Sequence, residues 1–222
     1  MNDFKLFFSF GHESFLEFWS EFKTYRKSFF SLLLLGMISC IPWQNLGFGE
    51  NSLPEIVTSI VLALLSLVFV VDIILIEKKS FTGRSKEKLL YSAPTYLIYT
   101  FYSSLIFFIP TLLIFAISNS WLMAIIPAIF FGLCVVMVPV CSVCIDNDDI
   151  NYFKSSFKLV KKRPVLIFLF FIFTILLEVT PFSFDLFSFS YLKLSLSLLY
   201  SLIETFLLIS LTKVSVKIFY LS

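Results

Sequence analysis

Six apolar runs, each close to membrane-crossing length, alternate along the chain with short polar segments, at about 29–48, 56–76, 94–118, 121–145, 164–180 and 194–212. A hydrocarbon core roughly 30 Å thick takes about 20 predominantly apolar residues at about 1.5 Å each. The second run holds a single charged residue, Asp72. Six such runs consume more than half of the 222 residues and leave no stretch large enough for a soluble domain. Charged residues make up 14% of the chain, against about 25% in soluble domains. The expected fold is therefore all-α. It is a single polytopic domain over 1–222, a bundle of six transmembrane helices with two amphipathic helices on the cytoplasmic side.

Lys and Arg set the expected orientation. Lys5, Lys23, Arg26 and Lys27 precede the first run, and Lys78, Lys79, Arg84, Lys86 and Lys88 lie between the second and third. Lys154, Lys158, Lys161, Lys162 and Arg163 lie between the fourth and fifth, and Lys213 and Lys217 follow the sixth. The alternate segments carry Glu50, Glu55, the uncharged Ser118-Asn119-Ser120 turn and Asp185, with Lys193 as the exception. Short basic loops stay in the cytoplasm, so both termini and the 77–93 and 146–163 loops are expected there, in a bacterial inner membrane. Asp3, Glu13, Glu17 and Glu21 precede the first run, a pattern unlike a cleavable signal peptide; that run is expected to act as an uncleaved anchor.

A short segment occurs twice, each time just before an apolar run. Phe18-Trp-Ser-Glu-Phe22-Lys23-Thr-Tyr-Arg26-Lys27 and Phe153-Lys-Ser-Ser-Phe157-Lys158-Leu-Val-Lys161-Lys162 share the pattern Phe-x-x-x-Phe-Lys-x-x-basic-Lys. At 100° per residue the aromatic positions fall on one helical face. Such helices suit the membrane interface, with Phe at the acyl boundary and Lys or Arg at anionic headgroups. Phe18, Phe22, Arg26, Lys27, Phe153, Phe157, Lys161 and Lys162 are thus candidate lipid contacts. The helices serve either as collars that orient the next span or as surfaces that recruit lipid or a partner. Ser156 is expected to be more water-accessible than Phe157.

Inside the spans, Asp72 and Glu178 lie near span ends, where headgroup water is in reach. Glu204 is near the middle of the sixth run without Lys or Arg at its depth. A charge there costs about 2.5 kcal/mol or more. Glu204 is the candidate intramembrane polar site, either a neutral carboxyl hydrogen-bonded across a helix interface or a proton or substrate relay. Pro110, Pro127 and Pro139 should kink their helices. Cys141-x-x-Cys144 lacks the further ligands of a metal site, and the cysteines read as apolar helix residues. Asp146, Asp148 and Asp149 read as a helix N-cap rather than a calcium loop. His12 is the single histidine, and no catalytic motif accompanies it.

The stretch Ile126-Pro127-Ala128-Ile129, Met137-Val138-Pro139-Val140, the acidic turn 146–149 and Phe153 to Lys161 resemble the YciC-like bacterial inner-membrane proteins. They are also similar to the membrane domain fused to some glycerophosphodiester phosphodiesterases. Ala128 stands where those proteins usually carry Gly, and Phe153 where they carry Leu. The resemblance covers 126–170 and implies a six-span membrane protein. The expected role is a non-enzymatic component of envelope or lipid homeostasis, or a subunit of a membrane assembly. The alternative is a small transport component, a substrate-capture or permease-like subunit. The expected partners are membrane lipids and other membrane proteins, with no nucleic acid, cofactor or metal.

Overall fold

The computed structural model describes residues 3–39, 53–83, 89–146, 151–179 and 190–221. Among the described residues every regular element is an α-helix: α1 (Asp3–Ser20), α2 (Phe22–Ser39), α3 (Leu53–Thr82), α4 (Leu89–Ser118), α5 (Trp121–Val135), α6 (Val138–Cys144), α7 (Tyr152–Lys162), α8 (Pro164–Val179) and α9 (Ser190–Leu221). The all-α expectation holds. Three described stretches are long and apolar enough to cross a membrane: Leu53–Thr82, Leu89–Ser118 and Leu122–Cys144. Pro164–Leu176 is a shorter apolar helix. The end of the expected first span, 40–48, lies outside the described residues, as do Asn51 and the 180–189 segment.

Local chemistry explains the corners. Asn119 joins α4 to α5 in the left-handed region (φ 48°), which asparagine tolerates better than most residues. The Ser118 hydroxyl accepts from the Ser120 amide at 3.3 Å, so the tight 118–120 hairpin forms as expected. The expected fourth span breaks at Val136–Met137, and Pro139 falls in the first turn of α6, where a missing N–H costs nothing. Pro94, Pro110 and Pro127 sit within continuous helices. Asn151 caps α7 by accepting from the Lys154 amide at 3.1 Å. The cap is thus not Asp146, which pairs with Lys78 instead; Asp148 and Asp149 lie outside the described residues.

The duplicated segment does not make two equivalent helices. Its first copy is divided at Glu21, where α1 ends and α2 starts, and its second is an unbroken α7 that ends before Arg163. Phe18 is only 1% exposed and belongs to an aromatic cluster with Tyr25, Phe29 and Phe206. It is a core residue, not a lipid contact. In α7 the inward positions are Tyr152 and Ser156. The Ser156 hydroxyl, fully buried, donates to the Cys134 carbonyl at 2.8 Å, the reverse of the expected water exposure. Burial follows the i, i+4 pair whose polar group finds a partner across the helix interface.

The core lies at the end of the bundle where the basic segments gather. Its centre is α9, which packs against α1, α2, α3, α6 and α8. The sixth run was expected to end at 212. The helix continues to Leu221, and all seven residues 212–218 are buried. Two turns enclosed on every side belong to a central helix. Toward the other end the apolar faces turn outward: Leu53, Ile56, Val57 and Ile60 of α3 are exposed, and only 6% of the apolar stretch of α4 is buried.

Gly132 marks the close approach of α5 and α8, since a Cβ there would run into the buried Phe171 ring. Gly132→Ala is expected to cost about 1–3 kcal/mol by overpacking. Gly11→Ala in α1, with open space around it, should gain about 0.5–1 kcal/mol from helix propensity. Equilibrium unfolding of both variants in mixed micelles checks the contrast; equal effects would contradict the α5–α8 contact.

Candidate functional site

Two features inside the bundle use ionisable side chains. The first is a buried charge cluster where α1, α2, α3 and α9 meet. The Lys213 ammonium, 1% exposed, lies 2.7 Å from a Glu77 carboxylate oxygen whose side chain is 3% exposed. Tyr25 donates its hydroxyl to the same carboxylate. The ammonium is also 3.1 Å from the Tyr25 oxygen and 4.3 Å from the centre of its ring. Burial, and then the Glu77 carboxylate, push the Tyr25 phenol above its ordinary range, so Tyr25 stays a hydrogen-bond donor at neutral pH.

A ladder extends this cluster to the surface. Glu17 meets Lys213 at 3.4 Å and Lys217 at 2.9 Å, and Glu13 meets Lys217 at 3.5 Å. Glu13 and Glu17 are four residues apart on α1, and Lys213 and Lys217 four apart on α9. Each pair therefore shares one helical face, and the order of contacts makes the two helices antiparallel. On the other side of α3, Lys78 donates to the Val143 carbonyl at 2.7 Å and pairs with Asp146. Consecutive residues on a helix point about 100° apart, so Glu77 and Lys78 clamp α3 to different neighbours. Arg163 binds Asp3 at 2.9 Å and fixes the start of α1 against the α7–α8 corner.

Sequence reasoning placed Lys78, Lys213 and Lys217 among the loop charges and missed this cluster. A signal was present, because the two i, i+4 pairs of opposite sign match in spacing. Of the candidate lipid contacts, Arg26, Lys27, Phe157, Lys161 and Lys162 are exposed, and Phe22 and Phe153 are half-buried. Asp72, expected to reach headgroup water, accepts from the Ser28 hydroxyl at 2.5 Å between α2 and α3. The side chain of Glu178 lies outside the described residues.

The second feature is a partly open cavity of about 260 Å³ among α2, α3 and α9. Glu204 lines it together with Ser39, Ser59, Ser66 and Thr205, between walls of Leu32, Leu35, Leu62 and Leu208. Glu204 thus lines a cavity. Nine residues separate it from Lys213, about 13 Å along α9, so the two features are distinct. No family model, curated protein or solved structure matches the chain.

The cluster makes a graded expectation. Lys213→Met leaves Glu77 buried without its cation and should cost about 3–5 kcal/mol. Tyr25→Phe removes the hydroxyl that donates to Glu77 and accepts from Lys213 but leaves the ion pair in place, and should cost less, about 1.5–3 kcal/mol. Lys217→Met leaves Glu13 and Glu17, whose side chains are 51% and 43% exposed, for water to solvate, and should cost about 1 kcal/mol or less. Unfolding midpoints of the three variants give the order; a Lys217 variant as damaged as the Lys213 variant would refute it.

Proposed function

We propose that the chain is a six-span component of the bacterial inner membrane, of the YciC-like kind, that serves envelope or lipid homeostasis or a membrane assembly without catalysing a reaction. The observation that carries this reading is the Lys213–Glu77–Tyr25 cluster. The ionisable groups enclosed at the basic end are held by one another, each across a helix interface. They brace four helices into a stiff platform and are not presented to a cleft. Outward apolar faces on α3, α4 and α5 supply the surface that lipid acyl chains would cover. In this reading the platform lies on the cytoplasmic side, and exposed Arg26, Lys27, Lys161 and Lys162 meet anionic headgroups.

The alternative, a small transport component, draws on the Glu204 cavity. A deletion strain separates the two. Altered lipid composition or a raised envelope-stress response, with solute uptake unchanged, supports the first reading. Loss of uptake of one solute with lipids unchanged favours the second.

Orientation is tested directly by single cysteines in a cysteine-free background. Asn119→Cys should react with an impermeant thiol reagent in intact cells. Lys79→Cys and Lys162→Cys, both at exposed positions, should react only after permeabilisation. The opposite labelling would invert the topology.

A further inference from the structure

Three of the four hydroxyls that line the cavity among α2, α3 and α9 present their oxygens to it. The hydroxyls of Ser39, Ser66 and Thr205 already donate to their own helices, to the carbonyls of Gly36 (2.7 Å), Leu62 (2.9 Å) and Ser201 (2.7 Å). What they offer the cavity is oxygen lone pairs. A carboxylate offers lone pairs alone, and Glu204 is the one ionisable residue in the lining among the described residues. A pocket lined by these oxygens, the Ser59 hydroxyl and one carboxyl group suits a ligand that brings both positive charge and N–H donors. An ammonium group brings three. The volume argues for an organic ligand, because about 260 Å³ far exceeds the roughly 10–15 Å³ that a single water requires. The leucine walls suit methylene groups beside the cation.

We propose that this cavity binds the primary ammonium group of an amine on a short aliphatic chain, with the Glu204 carboxylate as its counter-ion and the Ser39, Ser66 and Thr205 oxygens as acceptors. Two sources carry that chemistry: a free alkylamine, or the amino headgroup of a phospholipid. A low-dielectric site strengthens the ion pair, and the incoming cation is what allows Glu204 to be ionised at this depth. The inference concerns a ligand and does not depend on the scaffold reading, whose test is a deletion phenotype.

The test uses the full chain in nanodiscs of phosphatidylglycerol, free of amines, with unfolding temperature as the readout. n-Butylamine should raise the midpoint saturably. n-Butanol, tetramethylammonium and sodium chloride at the same concentration, which lack the charge or the N–H donors, should not. Glu204→Gln should weaken the apparent affinity for butylamine at least tenfold. Ala63→Phe, which fills the cavity from α3, should do the same; it keeps the claim testable if the first variant folds poorly.

Discs that contain phosphatidylethanolamine distinguish the sources. A raised midpoint that blunts the response to butylamine, with phosphatidylcholine inert, assigns the site to a lipid headgroup. A butylamine response unchanged by phosphatidylethanolamine assigns it to a free amine. The proposal is overturned if neither amine raises the midpoint, if tetramethylammonium or butanol acts as well as butylamine, or if the response survives both variants.

Discussion

A lysine ammonium that is 1% exposed has no water to solvate it, so the protein must surround it with anions and dipoles or fail to fold around it. Here each supporting group comes from a different helix: Glu77 from α3, Tyr25 from α2, and Glu17 from α1. The central place of α9 is therefore tied to the register of three other helices. The apolar contacts of Val71, Ile74, Met137, Leu166 and Val216 supply bulk cohesion. They do not select one rotation of α9, since smooth apolar surfaces pack in several ways. A buried ion pair is weak evidence for stability, but register is its best-attested use. We read the cluster in those terms.

Burial is uneven along the helices as a consequence. At the basic end α9 is enclosed on all sides. At the other end α3 and α4 carry long exposed apolar faces. Side chains that meet lipid gain little from meeting protein, because the two surroundings are equally apolar. Packing there relies on small residues, as where Gly36 of α2 comes against Ser201 of α9, and beside that contact the cavity remains open. The cavity and the charge cluster both lie among α2, α3 and α9, at different depths along α9.

The helical class and the three long apolar stretches were legible because run length and composition report them directly. So was the 118–120 hairpin, since a Ser-Asn-Ser break between two apolar runs leaves few other conformations. The face each helix turns inward was not legible. Phe18 and Phe157 occupy different positions of the same repeated pattern, yet one is buried and the other exposed. The difference arises from the aromatic cluster that α2 and α9 build around Phe18. Lys213 reads as a flanking charge because it directly follows an apolar run, and only the partners on distant helices turn it inward. Glu204 was legible as an unusual residue, but its cavity depends on how three helices come together, which no local pattern encodes.

The most direct measurement is a double-mutant cycle on Lys213 and Glu77, read by equilibrium unfolding in mixed micelles. Lys213→Met, Glu77→Met and the double variant give the pairwise coupling once the single effects are subtracted. If the pair sets the register of the bundle, each single change is severe and the double variant recovers a coupling of about 2–3 kcal/mol. Effects that add to within about 0.5 kcal/mol would show that the two residues act independently, and the central claim would fail.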